Sequence, residues 1–395
     1  MRSVVFAIVM LVFLTLLTFG ARALLRHGNK NIWEFSFLDK FAKYLPYTGW
    51  FFYLLFGAAL AFKWKYLLFT GVTGLSIVMI VSLIMILTMP VSLLMGKISN
   101  YIPKRKKNSN ILKYNQDRRL FLKTAAAALP VFTIGTTTNG FAGAFQNVKI
   151  PGIDMFFENL PTELDGFKIW HLSDLHLGYY YQLDDLERLL LNAESESVDL
   201  VVITGDVADD LSQLTDALKL IDQKKSTYPK LVSVGNHEYF RGIQEVRRRI
   251  DTSPIPLLLN NHHIVNVNGV KLLIGGMDDP VRMHTDNVPF FERSIKQILI
   301  NKPEYDFSIL MSHRPKALNV VPDFNIDLVL AGHTHGAQLG FNNRSIFEPM
   351  WEENYLWGKY SKGKSQLYTS SGVGHWFPFR LGCPAEAPII TLKKA

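Results

Sequence analysis

The feature that most restricts this chain is residues 66–96, a run of 31 without a charged side chain, rich in Ile, Leu, Val and Met. A bilayer core takes about 20 apolar residues of helix. The run is therefore long enough to cross with tilt and too long for an ordinary buried helix. Pro90 is expected to kink or end it. Residues 3–21 and 44–62 are two further uncharged windows of 19 residues each; the first also suits a signal peptide. Residues 124–148 form a weaker fourth window, in which an apolar stretch gives way to Thr136, Thr137, Thr138 and Asn139. It follows residues 117–123 (DRRLFLK), which have the form of a twin-arginine export signal, and Ala142, Gly143 and Ala144 have the form of a signal-peptidase site. A plain fourth anchor helix accounts for the same residues, and both readings put the segment across a membrane. Transmembrane helices are expected at 3–21, 44–62, 66–96 and 120–144, within a membrane region 1–145 that precedes a domain at 146–395.

The charges agree with that division. Residues 1–150 carry 18 Lys and Arg against 3 Asp and Glu, whereas residues 151–395 carry 24 against 31. The overall +8 therefore belongs to no single domain and is not a nucleic-acid footprint. Lys104, Arg105, Lys106 and Lys107, beside a span, read as a topology signal. The loops at 22–43 and 97–123 hold five and nine basic residues, and the hairpin between spans two and three holds only Lys63 and Lys65. Basic loops stay cytoplasmic, so both termini, and everything beyond about Ala144, are expected to be extracytoplasmic. The spans lack ionisable residues at their centres, which argues against an ion path, the rival reading as a sensor or transport component. A single Cys, Cys383, excludes an intramolecular disulfide framework and a Cys-based zinc site.

The second part reads as α/β. Short apolar runs at 167–172, 199–204, 230–234, 269–276, 307–311, 326–330, 366–370 and 388–392 suit strands, and 183–193 and 211–224 have helical spacing. Polar residues collect where these runs stop: Asp174 and His176, Asp206 and Asp209, Asn236 and His237, His313, and the His333–Thr–His335 block. Sites in α/β sheets gather at the carboxyl ends of strands. Imidazole with carboxylate favours Mn, Fe, Zn or Ni. Extended backbone with a two-residue period would put both ligands of Asp174/His176, and of His333/His335, on one side.

These blocks, in this order, resemble the calcineurin-like metallophosphoesterase superfamily over roughly residues 147–393. The resemblance implies a four-layer αββα sandwich of two mixed sheets and two divalent metal ions. Asp174, His176, Asp206 and His335 would bind the first ion. Asp206, Asn236, His313 and His333 would bind the second, with Asp206 bridging, and His237 would be the catalytic histidine. Residues 164–169 (LDGFKI), GHTHGAQ, and the closing Gly372, Val373, Gly374, Pro378, Phe379, Arg380, Cys383 and Pro384 are similar to the bacterial membrane-associated YkuE/YaeI-like branch. Some relatives in that branch cleave a pyrophosphate bond in a lipid-linked sugar nucleotide. The expected substrate is thus a phosphorylated small molecule or a lipid-linked phosphoester, cut by a membrane-anchored hydrolase; a non-catalytic scaffold on the same fold is the alternative.

Ala337 departs from the branch, which usually has Gly there, and matters only where the backbone needs a positive φ. The Trp376–Phe377 pair also differs. Asp209 and Glu238 are candidates to accept from metal-bound imidazoles. His171 reads as structural, His262, His263 and His284 as surface or turn residues, and His375 as a residue able to approach the site. Arg314 and Arg380 suit either a phosphate contact or a salt bridge. The aromatic segment at 347–360 suits core packing or a rim that meets a membrane.

Overall fold

A computed structural model of the chain describes residues 2–62, 64–101, 110–281, 288–351, 354–375 and 377–395. Lys63, Lys104, Arg105, Lys106, Lys107, His284 and Trp376 lie outside these. The chain divides into two compact units, Met1–Asn139 and Gly140–Ala395.

The first unit contains α1 (Arg2–Gly28), α2 (Ser36–Phe62), α3 (Lys65–Tyr101) and most of α4 (Asn110–Ala144). Four stretches, Ala7–Trp33, Ser36–Phe62, Tyr66–Tyr101 and Asp117–Ala144, are long and apolar enough to cross a membrane. The third helix runs through Pro90 rather than ending there. Ala21, Leu25, Ala42, Leu45, Val78, Met85 and Met89 form a small shared core of α1–α3. Leu16, Leu54, Leu87 and Phe132 stand exposed. That pattern suits lipid as the solvent, because each helix satisfies its own backbone.

The second unit holds two mixed sheets. Its strands are β1 (Gly152–Phe157), β2 (Lys168–Leu172), β3 (Leu200–Thr204), β4 (Lys230–Ser233), β5 (Asn261–Val267), β6 (Val270–Gly276), β7 (Phe307–Met311), β8 (Leu328–Ala331), β9 (Gly340–Phe341), β10 (Arg344–Ser345), β11 (Gly358–Lys362), β12 (Ser365–Thr369) and β13 (Ile389–Lys394). One sheet has the order β1-β13-β2-β3-β4 and the other β11-β12-β8-β7-β6-β5; β9 and β10 form a separate hairpin. The helices are α5 (Leu183–Asn192), α6 (Leu214–Gln223), α7 (Asn236–Arg241), α8 (Ile243–Ile250) and α9 (Val288–Ile298).

Side-chain alternation along buried strands builds four layers. Ile169, Leu200 and Val202 of the first sheet meet Ile274, Ile309 and Leu330 of the second in one core. On the far side of the first sheet, Trp170, Val201 and Ile203 pack on Leu186, Leu218 and Val246 of the helices. On the far side of the second, Leu310 and Val329 pack on Phe291 and Ile295 of α9. This is the expected αββα sandwich. The parallel strands β2, β3 and β4, and β7 and β8, deliver their carboxyl ends to one region.

Candidate metal centre

Each loop at those strand ends carries part of the site. Asp174 and His176 follow β2, Asp206 and Asp209 follow β3, and Asn236 opens α7 after β4; His313 follows β7, and His333 and His335 follow β8. The expected extended backbone is absent. Asp174 (φ 52°), His176 (φ 47°), Asp206 (φ 52°), His333 (φ 69°) and His335 (φ 50°) all lie in the left-handed region. Such residues cost on the order of 1–3 kcal/mol each and persist only where their surroundings enforce them. The enforcement is visible in the hydrogen bonds. His333 N donates to both Asp174 carboxylate oxygens, at 3.1 and 3.0 Å, and His176 N donates to Asp206 O at 3.0 Å. Gly332 leaves room for this, since a Cβ there would strike the Asp174 carboxylate.

The loops bring six of the seven expected ligands together. Asp174, His176 and His335 form one group of close donor atoms, and Asp206, His313 and His333 form another. His313 Nε2 lies 3.1 Å from Asp206 Oδ2, and His335 Nε2 lies 3.4 Å from Asp174 Oδ1. His176 Nε2 is 3.8 Å from the same Asp206 oxygen, so that carboxylate stands between the groups. Asn236 is buried and its Oδ1 has no hydrogen-bond partner among the described residues. An unmade buried acceptor costs about 1–3 kcal/mol, and a cation is one partner that would satisfy it. The donor set therefore fits the two divalent ions that the sequence implies.

The groups behind the imidazoles differ. His176 Nδ1 donates to Asp209 Oδ2 (3.2 Å) and His313 Nδ1 to Thr204 O (2.8 Å), which leaves both Nε2 atoms facing the site. Behind His333 Nε2 stands Arg314 NH1 (3.0 Å), and behind His335 Nδ1 stands Arg380 NH2 (3.4 Å). A guanidinium only donates. The other ring nitrogens of these two histidines face the site, 3.2 Å from His313 Nε2 and His176 Nε2 respectively. Burial lowers all four imidazoles. For His313, the Asp206 and Asp174 carboxylates reverse this and raise it to about 10; Asp209 and its neighbours likewise raise His176. His333 and His335 stay well below the usual range, lowered by burial and then by cationic neighbours, Arg314 and Arg380 among them.

His237 stands at the rim. Its N–H donates to Asp206 Oδ1 (2.9 Å), its Nδ1 to Asp209 Oδ1 (2.6 Å), and its Nε2 lies 4.0 Å from Asp206 Oδ2. Arg241 NH2 also donates to Asp209, at 2.9 Å. Asp209 thus accepts from two imidazoles, and despite burial these partners hold it far below the usual carboxylate range. Glu238 does not take the same part. Its buried carboxylate accepts from the backbone N–H groups of Gly235, Asp206 and Val207, so it shapes the loops rather than a histidine. Burial, and then the Asp206 charge, raise it above its ordinary value.

His171 lies inside β2, bonds Thr204 Oγ1 at 2.9 Å, and is lowered by burial to about 3. His262 and His263 belong to β5 rather than to a turn. The His375 ring stacks on Tyr180 (5.4 Å), while its neighbour Gly374 touches the site through the backbone, N–H to Asp174 O (2.8 Å). Arg314 makes a buried two-bond pair with Asp279, at 2.8 and 3.2 Å. Arg380 donates to the carbonyls of Ser371, Gly372, Gly374 and Pro384. Asp279 and Arg241 were not singled out from sequence; the Met277-Asp278-Asp279 turn ending β6 was the available signal for the first. Ala337 has φ 52°, the condition under which its departure from Gly matters.

Residues 167–337 match the family model described as calcineurin-like phosphoesterase. An uncharacterised metallophosphoesterase of Campylobacter jejuni, Cj0846, is 30% identical over 283 residues, 71% of this chain and 72% of the relative. Bacillus subtilis YkuE, also an uncharacterised metallophosphoesterase, is 29% identical over 70% of this chain and 97% of its own length. The phosphodiesterase YaeI of Escherichia coli K12 is 25% identical over 70% of this chain and 98% of its own length.

Proposed function

Because the chain belongs to the calcineurin-like phosphoesterase family, we propose that it is a metal-dependent hydrolase of a phosphodiester, phosphomonoester or pyrophosphate bond. The observation that carries this reading is the convergence of four imidazoles and two carboxylates, those of His176, His313, His333, His335, Asp174 and Asp206, in two groups of close donor atoms. Two divalent cations of the Mn, Fe, Zn or Ni class would supply a Lewis acid and an activated water there. Asp174, His176, Asp206 and His335 would hold one, and Asp206, Asn236, His313 and His333 the other. His237, with Nδ1 tied to Asp209, keeps Nε2 for the leaving oxygen and is the general acid.

The four apolar helices support a membrane anchor. The distribution of Lys and Arg supports an extracytoplasmic catalytic unit, and the substrate class is a phosphorylated small molecule or lipid-linked phosphoester, with no nucleic acid. YaeI is a phosphodiesterase, so a phosphodiester is the first bond to test. Detergent-solubilised full chain with Mn²⁺ should hydrolyse bis-p-nitrophenyl phosphate, and His237→Ala should remove most of that turnover. No turnover with any of the four metals would overturn the reading and support a scaffold. Side of the membrane needs an engineered cysteine. Cys383 is buried and its thiol is pushed up by burial to about 12, so it is a poor probe. A Glu187→Cys variant labelled by an impermeant reagent only after permeabilisation would reverse the assigned orientation.

A further inference from the structure

Six residues beyond His335 the chain leaves the site and makes a hairpin and turn whose apolar side chains are uncovered. β9 pairs with β10 across Asn342 and Asn343, both with positive φ (52° and 59°), as a two-residue hairpin with the strand twist requires. Phe341 is 80% exposed, Ile346 51%, Met350 73% and Trp351 46%. Phe347 stacks on Trp351 with ring centroids 5.1 Å apart. None of these five belongs to the buried cores of the unit. Single exposed apolar residues are ordinary, but four within residues 341–351, with the half-buried Phe347 stacked on one of them, make a patch.

The β11–β12 hairpin, which carries three exposed lysines, touches it through Arg344. Arg344 NH2 donates to Lys359 O at 3.1 Å, and its guanidinium lies over the Tyr360 ring at 4.8 Å. Glu348 neutralises Arg344 at 2.9 Å. Lys359, Lys362 and Lys364 stand exposed on the neighbouring β11–β12 hairpin. Lys359 donates to the Asp154 carbonyl and Lys362 to Asn319, both neutral acceptors, so their charges remain. Large apolar and aromatic side chains beside lysines suit the boundary between acyl chains and anionic headgroups. The same chain supplies four helices of membrane-crossing length, so a bilayer is tethered to this unit at high effective concentration.

We propose that residues 341–351 are a membrane-docking edge that seats in the headgroup layer of an anionic bilayer and presents the metal centre to it. This rests on the membrane-anchored reading above and deepens it, since a site held at that surface is suited to a lipid-linked phosphoester. The test uses the full chain in nanodiscs, with Met350→Cys carrying an environment-sensitive dye and nitroxide-labelled lipid as quencher. The dye should shift to the blue and be quenched, more strongly in discs containing phosphatidylglycerol than in pure phosphatidylcholine. A reference label at Glu187→Cys, exposed on α5, should remain unquenched. Adding Phe341→Asp and Ile346→Asp should abolish the quenching at position 350. A dye that is unquenched in both lipids overturns the proposal. So does a blue shift without quenching, which would mean that a second copy or another protein covers the patch. The optical readout is independent of turnover, so a failed phosphoesterase assay and a failed docking edge are told apart.

Discussion

The four imidazoles at the candidate metal centre form two contrasting pairs. His176 and His313 each have an acceptor behind them, the Asp209 carboxylate and the Thr204 carbonyl. His333 and His335, from a single three-residue block, have guanidinium groups behind them. An acceptor on the far nitrogen fixes the tautomer and makes the near nitrogen a better ligand. A donor there does the reverse. The first pair has its far nitrogens set by acceptors, whereas the second would ligate with a guanidinium donor at each far nitrogen. Identity of ligand is therefore a poor guide to strength of ligand in this site.

The contrast can be broken or sharpened by substitution. The largest effect should come from the residue that both pairs share. Asp206→Asn should lower kcat and bound metal beyond the roughly 100-fold that a supporting group costs, measured by phosphate release and elemental analysis. Asp209→Asn should follow. It removes the charge and one of the two acceptor oxygens that serve His176 and His237, so metal affinity and kcat should each fall by about 10–100-fold. If kcat alone changed, the His176 contact would carry no weight.

Arg314→Gln works in the opposite sense, because the amide oxygen can accept from His333 Nε2. Paired with Asp279→Asn, to avoid a buried unpaired charge, it should tighten Mn²⁺ binding by about tenfold, near the lower end of such effects. Calorimetric titration would show this, and weaker binding would remove the energetic meaning of the contrast. Ala337→Gly, in the strained loop that carries the second pair, should be the mildest. It relieves a left-handed alanine and should add about 1 kcal/mol of stability, seen as a small rise in Tm with kcat unchanged.

Much of this was legible in the sequence because each ligand block ends an apolar run, and the topology brings those ends together. The reason given by periodicity was wrong, however. Asp174, His176, His333 and His335 converge through left-handed backbone, not through strand alternation. Local spacing carries no signal for a conformation enforced by a carboxylate from elsewhere in the chain. The guanidiniums were illegible for a related reason: whether Arg380 faces solvent, phosphate or a histidine depends on the loop that closes over it. Helix α7 was hidden because its six residues begin inside the Asn236–His237 motif, and Glu238 was misassigned since its amide partners come from two loops.

The division of the candidate ligands between the sheets has a mechanical meaning. Asp174, His176, Asp206 and Asn236 hang from the first sheet, and His313, His333 and His335 from the second. Each of the two ligand sets draws on both. Any cation held there is a rivet across the sandwich seam, so free metal concentration should set how firmly the two halves stay closed. A chelator should then loosen the seam at its strand-end edge first, and hydrogen exchange at the ends of β3 and β7 would report metal occupancy without any substrate.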